Sequence, residues 1–221
     1  MRRLSSPDAL AEFIRDRGPF EACLWDFDGV ICDSEPFQSA AYREVLVRRG
    51  IQPSAGFFEG FVGRTEPEIW DELALAYGIT STPGDLVRER RAVLLPRLIR
   101  DARPNWFVRP ALVTLATFGS RSVIVSSGDV GVIGPYLAAW SLASAFEPMS
   151  RHWRTPSSKR ARLIELVASS TGRILLFEDV ADYLMLGSSI GADVIAVSHG
   201  LNRNTALIGD AIVEAAPEGD S

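Results

Sequence analysis

Apolar residues along this chain cluster in two distinct ways. Residues 22–25, 122–125, 173–177 and 193–197 form short, nearly unbroken apolar runs, the pattern of strands buried on both faces. Each run stops in small or acidic residues: Asp26-Phe27-Asp28-Gly29, Ser126-Ser127-Gly128, Glu178-Asp179 and Ser198-His199-Gly200. Residues 111–118, 132–142, 158–169 and 183–190 instead repeat apolar side chains at helical spacing. Strand and helix alternate, which predicts an α/β fold built on a doubly wound parallel sheet with helices on both faces. Sheets of this kind hold ligands at the carboxyl ends of their strands, where the polar residues collect here.

The alternation is broken after the first strand. Residues 36–103 carry helical patterns at 37–49, 66–77 and 83–100 without a convincing buried strand, and predict an all-helical insertion. The expected organisation is one α/β domain formed by residues 1–35 and 104–221, with a helical domain over 36–103. Ahead of the first strand, Ser6-Pro7-Asp8 is a helix start, and Leu10, Phe13 and Ile14 share a face before Gly18 ends the helix. This helix is expected to be peripheral. Residues 217–221 form a polar tail.

Composition narrows the function classes. At 221 residues, 47% hydrophobic and 23% charged, the chain has the make-up of an ordinary globular protein. Its formal charge of −5 provides no positive field for nucleic acid or anionic lipid, so an anionic ligand has to be handled by local groups. Cys23 and Cys32 form neither a disulfide framework nor a zinc ligand set, which points to a reducing, cytoplasmic setting. Met1-Arg2-Arg3 runs into Ser5-Ser6-Pro7-Asp8 and then charged residues, rather than into the apolar stretch of an export signal. The longest uncharged stretch, residues 130–146, contains Gly131, Gly134 and Pro135 and falls short of the roughly 20 apolar residues that cross a bilayer. No membrane partner is expected. A monomer is the default expectation, with a dimer left open.

The chemistry concentrates at the strand ends. Asp26 and Asp28 stand two apart on extended backbone, which aims both side chains to one side, and two such carboxylates repel unless a cation lies between them. The acidic pair Glu178-Asp179, at another strand end, is placed to complete an oxygen shell for Mg²⁺. Among the 23 Lys and Arg residues, Lys159 is the only lysine, as expected of a site that needs a compact, rotatable ammonium rather than a planar guanidinium.

Asp26-Phe27-Asp28-Gly29-Val30-Ile31-Cys32-Asp33-Ser34-Glu35, then Ser126, Lys159 and Glu178-Asp179, resemble in order the four motifs of the haloacid dehalogenase superfamily. The closest likeness is to its sugar-phosphatase and β-phosphoglucomutase-like branch. That resemblance implies a Rossmann-like core with a helical cap over 36–103, and makes Phe61-Val62-Gly63-Arg64-Thr65 the substrate-facing cap loop. It also implies roles. Asp26 is the nucleophile that forms an aspartyl-phosphate, and Asp28 protonates the leaving alcohol and then takes a proton from water. Ser126, Lys159 and the amides of Ser127 and Gly128 stabilise the transferring phosphoryl oxygens, with Gly29 also at the substrate. Mg²⁺ is held by the Asp26 carboxylate, the Asp28 main-chain carbonyl and Asp179, with Glu178 direct or through water. Arg64 suits sugar hydroxyls or a second phosphate. Three positions depart from the family pattern: Arg160 where Pro often follows the lysine, Val180 where Ser or Thr often follows the acidic pair, and Asp182, three rather than four residues after Asp179. Asp182 reads better as a helix-cap residue than as a ligand.

Within the superfamily, Asp28 argues against dehalogenation, which lacks this second aspartate, and a cap without lysine argues against Schiff-base phosphonate cleavage. Mutases of this branch carry histidine where Gln38 stands, so hydrolysis of a small sugar or polyol phosphate is favoured over the alternative, a phosphosugar mutase. A non-catalytic binder of phosphorylated metabolites is a further alternative. A signalling receiver domain would have neither the helical insertion nor an acidic pair after the lysine. His152 and His199 are expected to be solvated loop residues, Trp153 and Trp106-Phe107 core or hinge residues, and Cys32 carries no assigned chemistry.

Overall fold

Strands β1 (Arg2–Leu4), β2 (Phe20–Trp25), β3 (Arg121–Ile124), β4 (Arg173–Glu178), β5 (Asp193–Ser198) and β6 (Ala211–Glu214) form one sheet in the order β1-β6-β5-β4-β2-β3. Every neighbouring pair is parallel. The computed structural model describes residues 1–54, 56–61, 64, 66–149, 156–199, 202 and 206–215.

The sheet is buried on both faces, which is why its central strands carry no polar side. On β2, Cys23 and Trp25 enter one core while Ala22 and Leu24 enter the other. Trp25 pairs in register with Phe177 of β4 and stacks on it, with ring centroids 4.3 Å apart and planes 5° apart. Phe177 stacks in turn on Phe107, at 5.7 Å. The chain leaves β2 for β3 on one side and then returns to β4 on the other. That reversal opens a crevice at the carboxyl ends of β2 and β4, where doubly wound sheets bind ligands.

Helix α1 (Pro7–Arg17) begins as its sequence dictates, with Ser6 Oγ accepting the Ala9 N–H and Pro7 in the first turn; its buried Leu10, Phe13 and Ile14 face the core, and the helix packs on α5 (Val108–Ala116). Helix α5 starts ahead of the expected residue 111 because Pro110 fits its first turn, where a missing N–H costs nothing. The insertion contains α2 (Glu35–Val47), α3 (Glu66–Tyr77) and α4 (Pro83–Asp101), with α4 packed against both α2 and α3 and reaching α6 (Val130–Ala139). Its exit and return run side by side: Cys32 bridges Pro104, and the Asn105 amide donates to the Val30 carbonyl at 2.7 Å. Helices α7 (Pro156–Ser169) and α8 (Ala181–Ser189) complete the alternation. No helix among the described residues is long and apolar enough to cross a membrane.

Candidate active site

The end of β2 delivers Asp26 into the crevice, and the backbone then folds into a tight loop in which the Phe27 carbonyl accepts the amides of Ile31 and Cys32. Asp26 is buried. Its Oδ1 accepts the Phe27 N–H at 2.7 Å, and its Oδ2 accepts Lys159 Nζ at 2.6 Å. Lys159, 1% exposed, also reaches Glu178 Oε2 at 2.8 Å and lies 4.2 Å from the centre of the Tyr183 ring. Burial opposes its charge, but Asp26 and Glu178 outweigh that and raise its pKa. The lone lysine thus bridges the ends of β2 and β4.

Glu178 Oε1 accepts the amides of Asp179 at 3.2 Å and Val180 at 3.1 Å. Val180 caps α8 without a side-chain hydrogen bond, and Glu178 instead holds the two amides that lead into the helix. Complete burial pushes the Glu178 carboxyl upward, against the pull of Lys159. Oxygens of Asp26, Glu178 and Asp179 lie within 4.8 Å of one another, and Asp179 Oδ1 is buried without a hydrogen-bond partner. A buried, oxygen-only set with an unsatisfied carboxylate oxygen fits a small hard cation such as Mg²⁺.

The carboxylate of Asp28 is turned elsewhere. It accepts from Ser34 Oγ and, at 3.1 Å, from Gln38 Nε2; burial pushes its pKa up while these two bonds draw it back. Gln38 Oε1 accepts from Arg90, which also bonds Glu66 and lies 4.6 Å from the centre of the Tyr42 ring. Asp28 is therefore tied through Gln38 to three helices of the insertion. Arg90, which the motifs do not single out, carries one readable signal: it interrupts the buried face of α4 formed by Leu86, Val93, Leu94 and Leu98.

These residues share a cavity of about 620 Å³, whose walls include Asp26, Asp28, Ser127, Gly128, Lys159 and Asp179. Ser126 and Gly29 stand behind the wall. Ser126 Oγ accepts the Gly128 N–H at 3.0 Å, and Gly29, at φ +76°, lies against Asp179 and His199. On the insertion side, Arg64 lines the cavity, but its Nη1 is 2.6 Å from Glu72 Oε2 and its guanidinium sits 5.4 Å from the Phe61 ring centre. Val62, Gly63 and Thr65 of the expected cap loop lie outside the described residues, as do His152, Trp153 and the polar tail. Arg160 and Asp182 are exposed on the cavity wall, Asp182 in the first turn of α8.

His199 corrects an expectation. Its position after a strand suggests solvent, yet its side chain is 2% exposed, with Nε2 at 2.9 Å from Asp179 Oδ2 and Nδ1 at 3.9 Å from Glu35 Oε2. Burial opposes its charge, while Asp179 and Glu35 raise its pKa overall. Burial likewise pushes Glu35 up to about 7. The available signal was its place at the end of β5, equivalent to that of Asp26 on β2 and Asp179 on β4. Cys32 is buried and its thiol is pushed up to about 12, which keeps it protonated and unreactive. Trp106 donates to the Glu214 carbonyl at 2.8 Å and Phe107 is buried, so neither faces the cavity.

No family model matches the sequence, and no curated protein matches it. Solved structures do. CbbY from Rhodobacter sphaeroides, in complex with phosphate, is 15% identical with a TM-score of 0.72, covering 88% of this chain and 93% of that one. A β-phosphoglucomutase from Clostridium difficile is 15% identical with a TM-score of 0.62, covering 91% of this chain and 94% of that one. A haloacid dehalogenase-like hydrolase from Streptococcus pneumoniae is also 15% identical with a TM-score of 0.62, covering 88% and 93%. At such identities the likeness is one of fold: the α/β architecture of this chain is that of haloacid dehalogenase-like and β-phosphoglucomutase structures.

Proposed function

We propose that this chain is a Mg²⁺-dependent phosphatase of the haloacid dehalogenase superfamily that hydrolyses a small phosphorylated metabolite, such as a sugar or polyol phosphate, through an aspartyl-phosphate. One observation carries the reading. A buried carboxylate, Asp26, is held by the only lysine beside an unsatisfied Asp179 oxygen, at the wall of a cavity that also presents Asp28. Residues 36–103 act in this reading as the cap over residues 1–35 and 104–221.

In the first half-reaction an Asp26 carboxylate oxygen bonds to phosphorus as the bond to the ester oxygen breaks, and Asp28 gives its proton to that leaving oxygen. A carboxyl raised by burial is suited to this donation, since more of it is protonated near neutrality. In the second half-reaction water attacks phosphorus, its proton passes to Asp28, and the Asp26–phosphorus bond breaks to release phosphate. Lys159 supplies positive charge and the Ser127 amide a donor for the transferring oxygens, while the Gly128 amide is held by Ser126 Oγ. Asp26, Glu178, Asp179 and the Asp28 carbonyl would hold Mg²⁺, which when bound offsets the charge of the phosphoryl group.

Gln38 favours hydrolysis over mutase action, because an amide cannot relay a proton from a second sugar hydroxyl at neutral pH. CbbY has also been solved with xylulose-(1,5)-bisphosphate. Its ligand adds bisphosphates to the substrates worth testing here, where the cationic Arg64 and Arg160 line the cavity. The deciding experiment is a screen of phosphorylated metabolites for phosphate release with Mg²⁺ and with chelator, on the parent chain and on Asp26→Asn. Mg²⁺-dependent release abolished in Asp26→Asn supports the reading. Conversion of a phosphosugar to its isomer would instead select the mutase alternative, and release that survives Asp26→Asn would overturn the covalent route.

A further inference from the structure

Asp179 is fastened by more than its place on the chain. His199 Nε2 lies 2.9 Å from Asp179 Oδ2, and because a carboxylate only accepts, the proton of this bond sits on the ring. Asn202 Nδ2 donates to the Asp179 carbonyl at 2.9 Å and to the Val197 carbonyl at 2.9 Å, while its Oδ1 accepts the His199 N–H at 2.8 Å. The segment after β5 thus grips both the side chain and the main chain of Asp179. From the opposite side, the loop after β2 closes against the same bond: a Cβ on Gly29 would stand 2.6 Å from Asp179 Oδ2 and 2.8 Å from His199 Nε2. One Asp179 oxygen is committed to the imidazole, and the other, Oδ1, is buried without a hydrogen-bond partner.

We infer that His199 is a positioning residue that makes Asp179 a one-oxygen ligand, and that this tunes the centre for Mg²⁺ over Ca²⁺. The inference rests on the proposed reading of Asp26, Glu178 and Asp179 as a divalent-cation centre. Mg²⁺ demands a near-octahedral shell at short, fixed distances, which single carboxylate oxygens satisfy. Ca²⁺ takes six to eight oxygens at longer distances and readily accepts both oxygens of one carboxylate. A hydrogen bond on Oδ2 disfavours the two-oxygen mode; without it Asp179 is free to rotate and offer both. Losing the bond therefore harms Mg²⁺ through lost orientation, whereas for Ca²⁺ the gained oxygen offsets that loss. A residue serving only the fold would weaken both cations alike.

The test is isothermal titration calorimetry of Mg²⁺ and of Ca²⁺ into the metal-free full chain at pH 7, which requires no substrate. His199→Ala is expected to weaken Mg²⁺ binding by about 10- to 100-fold, the usual effect of removing a partner that orients a metal ligand, and to leave Ca²⁺ within about threefold. His199→Gln places an amide N–H near the position of Nε2 and is expected to restore Mg²⁺ binding to within about threefold, whereas His199→Asn is one methylene too short and behaves as His199→Ala. Should His199→Ala not fold, the Gln and Asn variants carry the comparison. Equal weakening of both cations, or none, overturns the inference while leaving the metal centre intact. A parent chain that binds neither cation overturns the reading of the centre itself.

Discussion

Substituting alanine for Gly29 separates two costs that the structure allows to be estimated independently. Gly29 has φ +76°, and a Cβ there would stand 2.6 Å from Asp179 Oδ2, 2.8 Å from His199 Nε2 and 3.0 Å from Asp179 Cγ. Gly50 has nearly the same backbone, φ +74°, but a Cβ there would meet nothing within 4 Å. Left-handed backbone at a non-glycine residue costs about 1–2 kcal/mol, and both variants incur it. Only Gly29→Ala adds overpacking, about 1–3 kcal/mol more, for roughly 2–5 kcal/mol in all. Relief of a 2.6 Å contact to an ordinary one of 3.4 Å or more moves Asp179 by several tenths of an ångström. That exceeds the tolerance of about 0.2 Å in a metal–ligand distance, so Mg²⁺ binding should fall along with stability. Urea unfolding of the metal-free variants gives the first quantity and titration calorimetry the second. Gly29→Ala matching Gly50→Ala in stability, with Mg²⁺ affinity unchanged, would refute the packing of the β2 loop against the Asp179–His199 pair.

Asp28→Asn is expected to react with an activated aryl phosphate yet hydrolyse its phospho-intermediate slowly, visible as a burst of phenol followed by a slow steady state; an unchanged rate on an alkyl phosphate would remove Asp28 as the acid and base. Lys159→Arg keeps the charge but forces a planar fork into a site that is 1% exposed between two carboxylates, so turnover should drop at least about tenfold, and parent-like turnover would contradict this. Glu35 has its folded-state pKa raised from 4.5 to about 7, so the folded chain holds that proton more tightly than the unfolded one. The associated stability is present below pH 4.5 and lost as pH rises through about 7. Glu35→Gln should therefore gain up to about 3 kcal/mol over the parent at pH 8 and little at pH 4.5, by urea unfolding with chelator; an equal gain at both would show that the Glu35 charge is not the cause.

Much of the molecule is legible in local sequence, because its determinants are local. Buried parallel strands must be apolar on both faces, so β2, β3, β4 and β5 stand out as continuous runs, and Ser6 with Pro7 announces a helix start. Asp26, Asp28, Glu178 and Asp179 stand out as acidic residues that end apolar runs, and Lys159 as the one lysine among many arginines; the structure brings Asp26, Lys159, Glu178 and Asp179 together. Strand β1 carries no such mark. With two exposed arginines and one buried leucine over three residues, it is a strand only because β6, at the far end of the chain, pairs with it.

What tertiary structure alone decided is the set of partners around those residues. Whether His199 is solvated or buried depends on β5 lying beside β4, which brings it to Asp179 across a separation no periodicity records. Arg64 illustrates the converse: the residue type suits an anion, but Glu72, on the neighbouring helix, takes one of its donors. The link from Asp28 through Gln38 to Arg90 and Glu66 likewise forms because α2, α3 and α4 converge. Sequence restricts which side chains can do chemistry, since that is a property of the residue. Their orientation, burial and charge state come from neighbours distant along the chain, and hydrogen-bond geometry at the scale of a few tenths of an ångström is settled only when all of them are packed together.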